Sequence, residues 1–251
     1  MSRPRLRLQR RAFEDDPALD VAVSRAILVR VADGELPETM RLTRPGAMVA
    51  FGRQDVASDR YVEAVRAARA QGFEAIERLA GGRAAVFHER TLAIAHARPD
   101  PNPQANIYPR FEEASSWIAE ALRGLGVDAQ VGEVPGEYCP GGYSINARGR
   151  SKLAGVGQRL IKNAGHLGGV VVVGASARVR AALVPVYEAL GLGFDPATAG
   201  SVEDELPGAT LAGVEAALLG ALSELYEIEE GQLDPATLAM AGKLAPEHRS
   251  P

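Results

Sequence analysis

The segment Ser144–Gly174, SINARGRSKLAGVGQRLIKNAGHLGGVVVVG, contains the strands that decide the fold of this chain. Ser144–Ala147 and Lys152–Ile161 flank the turn Arg148–Arg150, and this pattern predicts a β-hairpin. Gly168–Gly174 includes four consecutive valines and therefore predicts a buried central strand. Because successive strands are joined by hairpins rather than by helices, the pattern favours an α+β fold over a Rossmann fold.

The rest of the chain supplies further strands and the helices that flank them. Strands are predicted at residues 39–42, 47–52, 73–79, 84–87, 92–97 and 127–131. Helices are predicted from Pro17 up to Gly34, from Asp59 up to Gly72, and at residues 110–123, 176–190, 210–226 and 234–244. We therefore expect an α+β fold with a largely antiparallel or mixed central sheet flanked by helices. We expect one catalytic domain over residues 1–251, with a core at about 16–210 and a helical extension at 211–251.

Two short motifs each allow two interpretations. The alternation Arg5-Leu6-Arg7-Leu8 predicts an edge strand whose arginines face water, and a basic arm that docks an acidic carrier protein is the alternative. Gly81-Gly82 lies between two predicted strands. It predicts either a hairpin turn or a loop whose N–H groups approach a ligand oxygen.

The composition excludes several classes of function. The chain has 251 residues, 46% of them hydrophobic, and its net charge of −4 argues against a nucleic-acid-binding surface. One cysteine excludes an intramolecular disulfide, and the four histidines lack metal-ligand spacing, so we expect no metal site. No apolar run approaches the ~20 residues of a membrane span. The N-terminus also lacks the apolar region of a secretory signal, so we expect a cytoplasmic protein that does not bind membranes.

The sole cysteine, Cys139, lies in the loop Glu137–Tyr143, EYCPGGY. A thiolate in such a loop is a candidate nucleophile, provided that it is accessible and has a low pKa. A buried structural cysteine is the alternative. Lys152 could stabilise this thiolate, an oxyanion or a phosphoryl charge, and could take part in proton transfer, whereas a solvated surface lysine is its alternative. His88 could face the same cleft or pair with Glu89, and His166 could orient the loop that leads into the valine strand, whereas a purely structural role is the alternative for both.

Four motifs follow one another in an order that resembles the lipoate–protein ligase and octanoyltransferase superfamily, which shares its fold with biotin protein ligases. Val49–Gln54 is similar to the early strand of that family. The other motifs are Arg78-x-x-Gly81-Gly82, Lys152-Leu-Ala-Gly155-x-x-Gln158-Arg159 and His166-x-Gly-Gly. The resemblance covers residues from about 20 to 210.

One subgroup is more similar to this chain. The octanoyl amidotransferases, which move octanoate from the glycine cleavage H protein to other lipoyl domains, carry a Tyr-Cys-Pro-Gly-x-Tyr loop before their Lys-Phe-Ala-Gly-x-x-Gln-Arg motif. Tyr138–Tyr143 and Lys152–Arg159 have the same order here. The cysteine of that subgroup forms an acyl thioester, so the resemblance implies that Cys139 is the nucleophile.

Three positions depart from the family pattern. Ala80 replaces a serine before the two glycines, and Ser144 replaces an aspartate after the tyrosine. Arg83 occupies a position that is often Gly, Leu or Gln, where a long cation could narrow the pocket or bind a carboxylate. These departures leave room for an altered substrate.

The resemblance implies an acyltransferase that moves an octanoyl or lipoyl chain from a carrier protein to the lysine of a lipoyl domain of a 2-oxoacid dehydrogenase. The donor would be the glycine cleavage H protein or an acyl carrier protein, and no cofactor would be needed. An ATP- and Mg-dependent lipoate–protein ligase that forms an acyl-adenylate is one alternative, and a non-catalytic acyl-binding homologue is another.

The candidate site follows from the motifs and their chain neighbours. Cys139 and Lys152 are the candidate catalytic residues. The candidate substrate-binding residues are Arg78, Gly81, Gly82, Arg83, His88, Tyr138, Gly141, Tyr143, Leu153, Ala154, Gly155, Gln158 and His166. We expect the acyl chain to lie in an apolar tunnel lined by Val86, Leu153 and Val170.

Overall fold

Strands and helices alternate irregularly along the chain in the computed structural model, which describes residues 3–251. The strands are β1 (Arg5–Gln9), β2 (Thr39–Thr43), β3 (Met48–Phe51), β4 (Glu74–Glu77), β5 (Ala85–Phe87), β6 (Thr91–Pro99), β7 (Ala129–Val131), β8 (Ile145–Ala147), β9 (Ser151–Ile161), β10 (Ala164–Val172) and β11 (Glu227–Glu230). The helices are α1 (Pro17–Ala32), α2 (Arg53–Val56), α3 (Tyr61–Ala70), α4 (Ile107–Gly124), α5 (Ser176–Leu190), α6 (Val202–Glu205), α7 (Leu211–Leu225) and α8 (Pro235–Leu244).

Eight strands form the main sheet, in the order β11-β1-β2-β6-β10-β9-β8-β7. β1 is parallel to both of its neighbours, whereas every other neighbouring pair in this sheet is antiparallel. The expectation of an α+β fold with a mixed, largely antiparallel sheet is therefore confirmed. The valine-rich strand β10 lies inside the sheet, and the hairpin of β8 and β9 forms around Arg148–Arg150, as predicted.

Arg5–Leu8 lies in a strand, as predicted, but the prediction that this strand forms the edge of the sheet is wrong. The acidic strand β11, which the sequence did not indicate, covers the outer side of β1 and pairs Arg5 with Glu227. β11 has one apolar residue among four, so its hydrophobic pattern is too weak to predict a strand. Its pairing depends on a contact between the two ends of the chain, which local sequence does not encode.

A second sheet has the order β4-β3-β5, with β3 parallel to β4 and antiparallel to β5. β4 and β5 therefore lie on opposite sides of β3, and Gly81-Gly82 crosses from one side to the other. The hairpin interpretation of this glycine pair is wrong, and the alternative of a loop near a ligand site agrees with its position.

One face of the main sheet is shallow, meaning that small residues on three neighbouring strands leave it with little side-chain volume. Gly168 on β10 lies between Ala95 on β6 and Gly157 on β9. Two residues further on, Val170 lies between Ala93 and Gly155. Side chains alternate between the faces of a strand, so these rows line the same face. The missing side-chain volume leaves space for a cavity beside the second sheet.

Helices cover the remaining apolar surface. α1 begins as predicted, because Asp16 accepts a hydrogen bond from the Leu19 N–H group at 3.1 Å and Pro17 follows it. The strand predicted at residues 92–97 extends to Pro99, and the helix predicted from residue 110 begins three residues earlier, at Ile107. Within residues 3–251, no helix is both long and apolar enough to span a membrane.

Candidate active site

A cavity of about 590 Å³ lies between the shallow face of the main sheet and the second sheet. Most of the candidate site residues line it, although they come from distant parts of the chain. These residues are Arg78, Gly81, Gly82, Tyr138, Cys139, Gly141, Tyr143, Lys152, Gly155, Gln158 and His166. Val170 also lines the cavity, as expected for a residue of the acyl tunnel.

Five of the expected site and tunnel residues do not line this cavity. Val86 points away from it because its neighbours Ala85 and Phe87 face it, and strand residues alternate. Leu153 and Ala154 are fully buried in the core on the helix side of the sheet. His88 is also fully buried, and its Nδ1 accepts a hydrogen bond from the Arg90 N–H group at 3.1 Å. Burial lowers the pKa of His88 to about 4, so this histidine is neutral. Arg83, the fifth, is described below with Cys139.

The sulfur of Cys139 faces two hydrogen-bond donors. Arg78 Nη2 lies 3.4 Å from Sγ, and the backbone N–H group of Arg83 donates to Sγ at 3.2 Å. Burial alone raises the pKa of the thiol, but the charges of Arg78 and Lys152 and these hydrogen bonds outweigh it. The pKa of Cys139 is therefore lower than that of an ordinary cysteine, which favours the reactive thiolate.

The Arg83 side chain points elsewhere. Its guanidinium pairs with Asp55 at 3.2 Å, and this buried carboxylate also accepts the Gly52 N–H group. Arg83 thus contributes its backbone to the site. The Arg83 side chain does not line the cavity, and the carboxylate that it binds belongs to Asp55 of the protein itself.

Gly82 allows the close approach of Arg78 and Cys139. Its φ is +103°, and a Cβ there would lie 2.2 Å from Arg78 Nη2 and 2.9 Å from Cys139 Sγ. Any other residue would therefore be strained in the backbone and would also displace the cation from the sulfur. The sequence indicated that this glycine pair matters, and the structure gives the steric reason at Gly82.

Separate contacts hold the backbone of Cys139, whose φ of 43° is left-handed. The hydroxyl of Tyr187 accepts the Cys139 N–H group at 2.7 Å and donates to the Ala84 carbonyl at 3.1 Å. Burial raises the pKa of Tyr187 well above its usual value, so this hydroxyl keeps its proton. Tyr187 lies in α5, far along the chain, and no sequence pattern indicated its role.

Lys152 is buried, and its ammonium group has three protein acceptors. Nζ donates to the carbonyl oxygen atoms of Cys139 at 2.8 Å and Tyr138 at 3.1 Å, and to Glu137 Oε1 at 3.1 Å. Gly155 leaves space for it, because a Cβ there would lie 3.1 Å from Lys152 Cε. The solvated alternative for Lys152 is therefore wrong. Arg78, not Lys152, is the cation in hydrogen-bond contact with the sulfur.

Sequence reasoning missed Glu137 as a site residue. Its side chain is fully buried beside Lys152, and a buried ammonium group requires a counter-charge. An acidic residue at the start of the Cys139 loop, as a possible counter-charge for Lys152, was therefore the sequence signal that could have identified Glu137. Ser144, where the family pattern has aspartate, donates its hydroxyl to the same carboxylate oxygen at 2.6 Å.

Gln158 and His166 border other parts of the cavity. Gln158 accepts a hydrogen bond from Arg110 at 2.9 Å and donates to the Ile107 carbonyl at 2.7 Å, which ties the start of α4 to β9. Tyr143 stacks on Phe111 of the same helix, with 4.9 Å between ring centroids. Burial lowers the pKa of His166 to about 3, so this histidine presents a neutral ring.

The site combines a thiolate-favouring environment with an apolar cavity, which suits covalent acyl transfer. Among residues 3–251, no cluster of three His, Cys, Asp or Glu side chains is arranged to hold a metal ion.

Comparisons with known proteins agree with this description. Residues 16–223 match the family described as lipoyl protein ligase A/B catalytic domain. The chain is 28% identical over 181 residues to the octanoyl-[GcvH]:protein N-octanoyltransferase of Geobacillus kaustophilus, covering 70% of this chain and 62% of that protein. It is 31% identical over 157 residues to the protein of the same name from Anoxybacillus flavithermus, covering 62% and 54%. The chain thus spans less than two thirds of the length of these relatives.

Two solved structures share the fold. Lipoate–protein ligase A bound with ATP has a TM-score of 0.76 at 19% identity, covering 98% of this chain and 95% of that one. A bipartite lipoate protein ligase from Thermoplasma acidophilum has a TM-score of 0.71 at 16% identity, covering 98% and 93%. At these identities the similarity concerns the fold alone. The family match extends over most of the chain and includes both Cys139 and Lys152, so the chain belongs to the lipoyl protein ligase A/B catalytic domain family.

Proposed function

We propose that this protein is an acyltransferase that moves an octanoyl or lipoyl chain from a carrier protein to the lysine of a lipoyl domain through a Cys139 thioester. The observation that carries the proposal is the contact of Cys139 Sγ with Arg78 and the Arg83 N–H group at the edge of an apolar cavity. The names of the relatives, octanoyl-[GcvH]:protein N-octanoyltransferase, support octanoate as the acyl group and the glycine cleavage H protein as the donor.

The first half-reaction forms the thioester. The Cys139 thiolate attacks the carbonyl carbon of the donor, an S–C bond forms, and the C–N bond of the octanoyl-lysine amide breaks. The leaving amine takes up one proton from solvent, which balances the proton that the thiol released. With an acyl carrier protein as donor, a C–S bond breaks instead and a thiolate leaves.

The second half-reaction transfers the chain to the acceptor. The neutral lysine amine of the lipoyl domain attacks the thioester carbonyl, a C–N bond forms, and the C–S bond to Cys139 breaks. The amine releases one proton to solvent, and the Cys139 thiolate is regenerated beside Arg78. No cofactor takes part in either step.

The cavity suits a saturated chain of medium length. Its floor of glycine and alanine residues leaves room along β6, β9 and β10, and Val170 borders the same space. Burial of the six methylenes of octanoate contributes roughly 5 kcal/mol at ~0.8 kcal/mol each. This contribution favours octanoate over much shorter acyl groups.

The sole cysteine of the chain makes the test direct, because any thiol adduct must lie on Cys139. The protein is incubated with the octanoylated H protein and, in parallel, with octanoyl-acyl carrier protein, and its intact mass is measured. We expect one octanoyl adduct with at least one donor, which chases onto an unmodified lipoyl domain, and no adduct in Cys139→Ala. Transfer that persists in Cys139→Ser without any adduct would refute the thioester route.

Two further assays separate the alternatives. Pyrophosphate release from ATP with free octanoate or lipoate would indicate the ligase. Octanoate binding without turnover under every condition would indicate a non-catalytic acyl-binding protein. We expect neither result.

A further inference from the structure

Glu137 is a buried carboxylate that the proposed reaction does not use directly. Besides Lys152 and Ser144, its Oε1 atom accepts a hydrogen bond from the Gly141 N–H group at 3.1 Å. Its Oε2 atom accepts the Val134 N–H group at 3.2 Å. A single side chain therefore connects residues on both sides of Cys139 and joins this loop to β9.

The contacts of Lys152 extend this connection to the nucleophile. Lys152 Nζ donates to Glu137 and to the carbonyl oxygen of Cys139 itself. Cys139 has a left-handed backbone, which a residue with a side chain adopts only when its surroundings hold it there. If the ammonium group lost its carboxylate, the Cys139 carbonyl would lose its fixed partner, the contact of the Cys139 N–H group with Tyr187 would remain, and the sulfur would lose its defined position.

We propose that Glu137 is a positioning residue, which holds Lys152 and the Cys139 loop so that Sγ stays beside Arg78 and the Arg83 N–H group. This inference rests on the proposed role of Cys139 as nucleophile. Ser144 Oγ lies 2.6 Å from Glu137 Oε1, so side chains from positions 137 and 144 meet at one point. Glu137 thus supplies, from the other end of the loop, the carboxylate that the family pattern has at position 144.

The first test measures the thiol pKa of the free enzyme from the pH dependence of iodoacetamide alkylation. If Glu137 positions the sulfur, Glu137→Gln raises the thiol pKa, and alkylation at neutral pH slows about tenfold. If Glu137 acted through its charge alone, Glu137→Gln would lower the thiol pKa, because the substitution removes a nearby negative charge. A lowered or unchanged pKa therefore overturns the proposal. Glu133→Gln is the matched control, since Glu133 is exposed and four residues earlier.

The second test exchanges the two positions. Glu137→Ser should raise the thiol pKa, and the double variant Glu137→Ser with Ser144→Asp should bring it back towards the wild-type value and restore octanoyl transfer. Circular dichroism and thermal unfolding accompany each variant. If Glu137→Gln does not fold, the thiol pKa of the double variant decides whether Glu137 is a positioning residue. A double variant that is unfolded, or is folded with the raised pKa of Glu137→Ser, overturns the proposal.

Alkylation requires no acyl donor, so the thiol pKa measured in both tests is independent of turnover. A wild-type enzyme that forms no octanoyl adduct would refute the proposed function, while the thiol pKa of Glu137→Gln would still decide the role of Glu137.

Discussion

Cys139 is held by one set of contacts at its sulfur and by another at its backbone. Arg78 and the Arg83 N–H group contact the sulfur, whereas Lys152 and Tyr187 contact the backbone. The two sets have different chemical effects. Contacts to the sulfur change the stability of the thiolate directly, whereas contacts to the backbone change it only by moving the sulfur.

Arg78→Ala removes the cation that touches the sulfur. Arg78 contributes the largest of the effects that lower the thiol pKa, so we expect this pKa to rise and alkylation at neutral pH to slow about tenfold. The alkylation profile moves to higher pH because the thiolate now forms only there. Arg53→Ala, an exposed position with the same charge change, is the control. Equal profiles for the two variants would contradict the role of Arg78.

Within the main sheet, β6, β9 and β10 form the floor of the cavity because their inward positions are small. The cross-strand pairs Ala95–Gly168 and Gly168–Gly157 place three small residues in one row. A strand rich in glycine is weak by itself. β10 offsets this weakness with Val170, Val171 and Val172, which are buried. The same strand thus supplies both the space of the cavity and the packing that holds the strand in place.

Ala95→Leu adds a branched side chain to this floor. We expect the preference for octanoyl over butanoyl donors, measured as a ratio of kcat/KM values, to fall about tenfold or more, because the longer chain loses its space. Ala70→Leu is the control, since Ala70 is exposed at the end of α3. An unchanged ratio together with a correctly folded Ala95→Leu protein would place the acyl chain elsewhere.

The C-terminal part of the chain packs into the same core as the strands of the main sheet. Leu218, Leu222 and Tyr226 belong to one buried cluster with Leu6 and Leu8 of β1. β11 also pairs with β1 along its whole length. Residues 211–251, expected to be a helical extension, therefore include a strand and core residues. We propose that the described chain unfolds as one cooperative unit.

Two variants in α7, Leu222→Ala and Leu225→Ala, test whether the chain unfolds as one cooperative unit. Leu222 is 1% exposed, whereas Leu225 is 40% exposed. We expect Leu222→Ala to lower the free energy of unfolding by about 2–5 kcal/mol and to shift the single transition seen by fluorescence and by circular dichroism. Leu225→Ala should change it by less than about 1 kcal/mol. A separate early transition in Leu222→Ala, with the rest unchanged, would show that α7 unfolds independently.

Local patterns predicted most of the elements that surround the site. The valine run of β10, the hairpin of β8 and β9, and the Asp16-Pro17 cap of α1 each depend on residues close in sequence. The predictions failed at β1 and at Gly81-Gly82 for a common reason. In both places the outcome depends on which strand lies alongside, β11 in the first case and β3 in the second.

The sequence alone identified Cys139, Lys152 and the glycine pair, because a sole cysteine in a Pro/Gly loop and paired glycines carry local chemical meaning. Only the tertiary structure determined their contacts. It brought Arg78 to the sulfur, turned the Arg83 side chain towards Asp55, and placed Glu137 against Lys152. The interaction between two charged groups strengthens as their separation shortens and as burial lowers the local dielectric constant. Such distances arise from the packing of strands and loops that are far apart in the chain, so residue order could name the participants but could not assign their partners.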